Sequence, residues 1–165
     1  RHLVEGGGQE RGRRSGTENV AGIVGMAAAL KAASDHMAAE TERLTALREQ
    51  LFESLLKLPK TTATGSRTNR LPGLVSLTVE GIEGESMVLL LDLNGIAAST
   101  GSACSTGSLD PSHVLMALGM KHETAHGSLR LSLGRYNTVE DVEKIARVLP
   151  EVVERLRAMS PVWHG

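Results

Sequence analysis

The stretch Ser128-Leu129-Arg130-Leu131-Ser132-Leu133-Gly134-Arg135-Tyr136-Asn137-Thr138-Val139-Glu140-Asp141-Val142 decides the fold class. Leu129, Leu131 and Leu133 alternate with polar residues, the period of two that puts one face of a strand in a core. Thr138 and Asp141 then stand at capping-box spacing. Val142, Ile145, Leu149, Val152 and Leu156 follow at helical intervals, with a kink expected at Pro150. A strand that turns directly into an amphipathic helix predicts a layered α/β domain.

The same alternation extends upstream. Val75, Leu77 and Val79 interleave with Ser76, Thr78 and Glu80, as on a half-buried strand. Glu85 to Leu93 reads as a helix stopped by Asn94-Gly95. Ile96 to Ser99 reads as a short apolar strand. Asp110-Pro111 supplies an N-cap and first helical residue for Val114, Leu115 and Leu118. His122 and His126 stand four apart, but Thr124, Ala125 and Gly127 make that stretch a poor helix, so a histidine metal site has little support. From about residue 60 onward the chain reads as one compact α/β domain.

Before it, Val20, Ile23, Val24, Ala27, Leu30, Leu44, Leu47, Leu51, Leu55 and Leu58 recur at helical spacing, and neither proline nor glycine interrupts Met26 to Lys57. Some 40 helical residues would span about 60 Å, more typical of a strut joining two domains than of one small core. Pro59 and the polar run Thr61 to Asn69 end it. Gly6 to Thr17 has no apolar period and reads as an irregular loop, with Ser15 and Glu18 at capping-box spacing before the helix.

Composition bounds the function. The 165 residues are 41% hydrophobic and 22% charged, enough for one ordinary domain or slightly more. Eighteen basic against 19 acidic residues give a net charge of -1, which argues against a nucleic-acid binder. Phe52, Tyr136 and Trp163 are the only aromatics, too few for base-stacking platforms. No apolar run of about 18 residues offers a membrane span. Cys104 is the single cysteine, so neither an internal disulfide nor a multi-cysteine zinc site is available, and a reducing compartment, the cytoplasm, is expected. The chain starts at Arg1 without a signal peptide and is expected to be part of something longer.

Three places invite chemistry. Cys104 lies in Ser99-Thr100-Gly101-Ser102-Ala103-Cys104-Ser105-Thr106-Gly107-Ser108, small hydroxylic residues that suit an offered nucleophile whose thiolate is the reactive form. The same residues suit an incidental surface cysteine equally well. Gly6 to Thr17 combines glycines, Arg11, Arg13, Arg14 and a following helix start, as an anion cradle does. It is not a Walker loop, and a solvated basic turn is the commoner meaning of such a run. Arg130 alternates out of the apolar face of its strand and suits bidentate capture of a carboxylate. A surface arginine paired with a nearby acid is its alternative, and Arg135 carries the same ambiguity.

Taken in order, GGGQERGRRSGTEN (Gly6 to Asn19), STGSACSTGSLDPSHVLMALG (Ser99 to Gly119), SLRLSLGRYNT (Ser128 to Thr138) and LRAMSPVW (Leu156 to Trp163) resemble the C-terminal part of a pyridoxal-phosphate cysteine desulfurase of the NifS/IscS type. The resemblance implies a type I PLP-dependent transferase fold. Residues 1–38 would end the large cofactor-binding domain and carry the dimer-interface loop, 39–60 would be a linking helix, and 61–165 the small α/β domain. It implies pyridoxal 5'-phosphate as cofactor, acting as electron sink, and L-cysteine as substrate. Cys104 would take the substrate sulfur as a persulfide, with release of L-alanine. The long form of its loop resembles the NifS/IscS branch, so Cys104 would also face the nascent iron–sulfur cluster of a scaffold partner as a candidate ligand. Arg130 matches the arginine that pairs with the substrate carboxylate. Thr17 matches a threonine that reaches the cofactor phosphate of the partner subunit, which implies a homodimer.

One departure stands out. The family's Schiff-base lysine lies in an upstream Ser-His-Lys, and none of Lys31, Lys57, Lys60, Lys121 and Lys144 has that setting. The cofactor-stacking histidine and the aspartate facing the pyridine nitrogen would also lie upstream. The chain is therefore expected to be inactive alone, as a fragment or one half of a split enzyme that needs the missing N-terminal part. A cofactor-free persulfide-relay or partner-docking module is the rival reading. A thiol peroxidase or cysteine protease is weaker, for want of a resolving cysteine or a Cys–His signature.

Overall fold

The computed structural model describes residues 2–101, 111–161 and 163. It divides into two compact units, Arg1–Ala39 and Glu40–Gly165. In the first, the glycine-rich segment is tied to itself. The Ser15 hydroxyl donates to the Gly7 carbonyl at 2.7 Å, and the Gly16 amide donates to Gln9 Oε1 at 3.2 Å. A single turn, α1 (Gln9–Gly12), carries Glu10 and Arg11 at φ 51° and 56°, in the left-handed region that side chains rarely enter.

Helix α2 (Val20–Leu55) runs from the first unit into the second. Its start corrects the expected Ser15–Glu18 box. Ser15 is buried with its hydroxyl already committed to Gly7, and the cap falls to Asn19, whose Oδ1 accepts from the Gly22 amide at 3.0 Å.

In the second unit the end of α2 precedes β1 (Thr61–Ala63), β2 (Leu74–Val79), α3 (Gly84–Leu93), α4 (His113–Ala117), α5 (His122–His126), β3 (Ser128–Ser132) and α6 (Val139–Met159). The strands form an antiparallel sheet in the order β1-β2-β3, with Thr61 opposite Val79 and Leu77 opposite Leu129. Strand β1 was hidden in the polar run after Pro59; its pairing with β2, rather than its own pattern, makes it a strand. Val75, Leu77, Val79, Leu129 and Leu131 join Leu47, Leu51, Phe52 and Leu55 of α2, Met87 and Leu91 of α3, and Val142, Leu149 and Val153 of α6 in one core. Helix α6 begins at the expected Thr138–Asp141 capping box and continues past Pro150 to Met159. Helix α3 ends as expected, with the amides of Gly95 and Ile96 closing back on Asp92 and Leu91.

Four expectations are corrected. Strand β2 is not half-exposed: Thr78 is fully buried, because α5 packs against that strand. Residues 122–126, expected to be a poor helix, form α5, since burial of Ala125 outweighs a weak propensity. Ile96 to Ser99 makes no strand, only one antiparallel bridge between Ser99 and Arg130. Helix α4 starts at His113 with Ser112 before it, two residues later than Pro111 predicted; Asp110 lies outside the described residues.

A close approach fixes the end of α5. A Cβ on Gly127 would lie 1.9 Å from the Val79 carbonyl oxygen, and the Val79 amide donates to the Gly127 carbonyl at 2.8 Å. Only glycine lets α5 turn into β3 so close to β2.

Candidate functional site

Arg130 sits in the middle of β3, with its backbone paired on both sides. Across from Ser76 it belongs to the β2 ladder. On its other side the Arg130 amide donates to the Ser99 carbonyl at 2.7 Å, and the Ser99 amide donates to the Arg130 carbonyl at 3.1 Å. The strand alternation that buries Leu129 and Leu131 turns the Arg130 guanidinium into solvent. Its side-chain bond to protein is a 3.4 Å contact from Nη2 to Ser99 Oγ. Among the described residues no carboxylate pairs with it, so the alternative of a paired surface arginine does not hold there. A guanidinium carried on a paired strand, without a carboxylate partner among the described residues, is suited to an exogenous carboxylate.

Ser99 begins the segment that leads to Cys104. Two residues on, the Gly101 amide donates to Ser128 Oγ at 3.1 Å, so β3 holds this strand-like approach at both Ser128 and Arg130. Cys104 itself lies outside the described residues.

Thr17 belongs to the first unit and is exposed just before α2. Beside it Gly16 adopts φ 94°, and Arg14 Nη1 donates to the Gly16 carbonyl at 3.3 Å. Arg11, Arg13 and Arg14 are likewise exposed. An accessible hydroxyl beside solvated guanidiniums fits the phosphate edge of a phosphorylated cofactor. Lys31 is paired with Asp35 at 2.8 Å, and Lys144 reaches the Gly95 carbonyl at 3.3 Å.

Two arginines that the residue patterns left unremarked organise the site's surroundings. Arg43 is bound by Glu40, with Nε and Nη2 at 3.2 and 2.9 Å from its carboxylate oxygens. It donates onward to the carbonyls of Gly134, Arg135 and Asn137, pinning the turn that follows β3. The hydrogen bonds that Arg43 donates to Glu40 raise its pKa above the ordinary arginine value. The Glu40–Arg43 spacing of three was the available signal. Arg157 is buried, donates to the carbonyls of Pro59 and Glu80, and lies 3.9 Å over the Trp163 ring. Nothing local distinguishes it from the exposed arginines of α6.

The rings of His122 and His126 meet edge-on at 4.6 Å. Among the described residues no three or more His, Cys, Asp or Glu side chains gather to hold a metal ion. A groove of about 750 Å³ lined by Glu80, Ile82, Glu83, Glu123, His126 and Met159 contains neither Thr17 nor Arg130. No helix among the described residues is long and apolar enough to cross a membrane.

Comparison with known proteins gives this geometry a setting. The aminotransferase class-V family model matches residues 5–145. A cysteine desulfurase IscS of Methanosarcina thermophila is 56% identical over 160 residues, covering 97% of this chain and 40% of that protein. A cysteine desulfurase NifS of Azotobacter vinelandii is 46% identical, covering 100% of this chain and 41% of that protein. A solved NifS-like protein superposes with a TM-score of 0.81 at 35% identity, over 94% of this chain and 39% of that one. The chain thus spans about 40% of the length of the curated relatives it matches.

Proposed function

We propose that this chain, which belongs to the class-V aminotransferase family, is the C-terminal part of a pyridoxal-phosphate-dependent cysteine desulfurase. The observation that carries the reading is Arg130, exposed and without a carboxylate partner among the described residues, on a strand whose backbone pairs with Ser99, five residues before Cys104. Arg130 receives the carboxylate of L-cysteine, and the missing N-terminal part supplies the lysine. Thr17 donates its hydroxyl to the cofactor phosphate of a second copy, so the working assembly is a homodimer. When bound, the cofactor supplies an electron sink for carbon next to the amino group.

Cys104 acts as nucleophile in its thiolate form. It attacks the sulfur of the substrate, forming the new S–S bond while the C–S bond breaks. The electron pair of that bond stays on carbon, which takes a proton and leaves as L-alanine. Cys104 is left as a persulfide, which it passes to an acceptor, such as a scaffold protein building an iron–sulfur cluster. There the same sulfur can ligate iron. A reducing compartment such as the cytoplasm keeps the thiol available.

The test joins this chain to its lysine-bearing N-terminal part and supplies cofactor and L-cysteine. Alanine and persulfide are expected in equal amounts in a single turnover, and this chain alone should make neither. Cys104→Ser should abolish persulfide and sulfide while leaving cofactor absorbance intact. Sulfide release that survives the change overturns the assignment of the nucleophile.

A further inference from the structure

We infer that Ser128 is a positioning residue whose hydroxyl sets the root from which the Cys104-bearing segment departs, an inference that rests on the desulfurase reading. Ser128 opens β3 and is buried, although a hydroxyl there has a hydrophobic strand on one side and tight glycine turns on the other. Its Oγ accepts the Gly101 amide at 3.1 Å. Two residues along the same strand, Arg130 exchanges both backbone hydrogen bonds with Ser99. Residues 99 and 101 are therefore pinned by 130 and 128, in antiparallel order, at the last described positions before Cys104.

The far flank returns to the same point. Ser112 is buried against Gly101: a Cβ on Gly101 would lie 3.1 Å from Ser112 Cβ, 3.1 Å from Ser128 Oγ and 3.5 Å from Leu115 Cδ1. The absence of a side chain at 101 is what lets Gly101 approach both the Ser128 hydroxyl and Ser112 this closely. Gly84 beside them is equally tight, since a Cβ there would lie only 2.5 Å from the Ser128 carbonyl oxygen and 3.2 Å from Thr100 Cγ2. The strand that aims the carboxylate-binding Arg130 thus also fixes where the thiol's tether begins. Displacing a reacting group by about 1 Å can cost on the order of 100-fold in rate, so the shared anchor has a kinetic consequence that its small size conceals.

The test compares Ser128→Ala, Ser128→Cys and Ser128→Thr in the complete protein with its cofactor. The alanine variant removes the acceptor, the cysteine variant keeps the volume with a weak acceptor, and threonine restores a hydroxyl. Hydrogen exchange at the Gly101 amide is read without reference to activity and should accelerate roughly tenfold or more in the first two variants. Persulfide formation on Cys104 should slow about tenfold at saturating cysteine. KM for cysteine and cofactor absorbance should stay within about twofold, because Arg130 keeps its own pairing. Threonine should return both readouts toward the parent.

Unchanged exchange at Gly101 in both weakened variants overturns the inference. So does an unchanged persulfide rate alongside faster exchange, or a KM that rises in step with the lost rate. If the alanine variant does not fold, the cysteine variant decides. Failure of the desulfurase reading looks different: the parent protein itself then forms no persulfide on Cys104, and the positioning role falls with it whatever Gly101 does.

Discussion

A guanidinium carries five donors in a rigid planar fork, and Arg130 and Arg157 use that fork in opposite settings. Arg157 is buried, and every contact it makes is to the protein: Nε to the Glu80 carbonyl at 3.1 Å, Nη2 to Pro59 and Glu80 at 2.8 and 3.0 Å. Burial lowers its pKa from the ordinary arginine value, though it stays charged in any physiological buffer. Arg157→Met should strand those carbonyls and cost about 2–3 kcal/mol, read from urea denaturation. Arg130, exposed and free of carboxylate partners among the described residues, contributes little to stability. Arg130→Ala should leave the urea midpoint unchanged and raise KM for cysteine on the order of tenfold or more. Arg130→Lys should recover only part of the loss, since a point charge cannot reproduce the fork. Little of this contrast was legible in the sequence. Alternation with Leu129 and Leu131 placed Arg130 outside the core, but the absence of a paired acid needed the fold. Cys104 stood near even between chemistry and accident on local grounds, the segment ending at Thr17 read more commonly as a solvated basic turn, and only the family resemblance gave either a role.

The start of α6 and the end of α3, whose signals lie within a few residues, were read correctly. Thr138 and Asp141 cap α6 because the Asp141 carboxylate accepts the Thr138 amide at 3.0 Å while Asn137 donates to it at 3.1 Å. Thr138→Ala should cost about 1 kcal/mol, seen as an earlier thermal midpoint. Those same bonds, the backbone amide first and Asn137 second, hold the Asp141 pKa below its ordinary value. A depressed carboxylate stabilises the fold above the unfolded aspartate range, and that contribution disappears as pH falls through the range toward the folded value. Stability curves of the parent and Asp141→Asn should therefore differ most at neutral pH and draw together as pH falls below the ordinary aspartate range. Elements set by distant partners were not legible. Strand β1 exists because β2 accepts it, α5 because Ala125 finds a buried seat, and Ile96 to Ser99 fails as a strand because only Ser99 meets β3. The Ser15–Glu18 spacing misled for the same reason, since the hydroxyl had a nearer claim on Gly7.

At the scale of the whole chain the two units are unequal. In the second, Leu47, Leu51, Phe52 and Leu55 of α2 are buried in the core. In the first, Val20, Ile23, Val24, Met26, Leu30 and Met37 of the same helix are 52–70% exposed. A helix without a covered apolar face is marginal in water. Hydrogen exchange of this chain alone should show durable protection for amides 47–55 and fast exchange for 20–39, a difference that equal protection along α2 would refute. Adding the N-terminal part should slow exchange in 20–39 selectively. The long helix was legible from its uninterrupted period, whereas the unequal cover along it was not, because periodicity reports that a face is apolar and not what lies against it. The close approach of Gly101 and Ser112 carries one more consequence. Since the two flanks already lie against each other, the length of the stretch between them is decoupled from the stability of the core. Doubling it would add only about 0.6 kcal/mol of closure entropy. Insertions or deletions between Gly101 and Pro111 should therefore leave the unfolding free energy, read from urea denaturation, within about 1 kcal/mol of the parent.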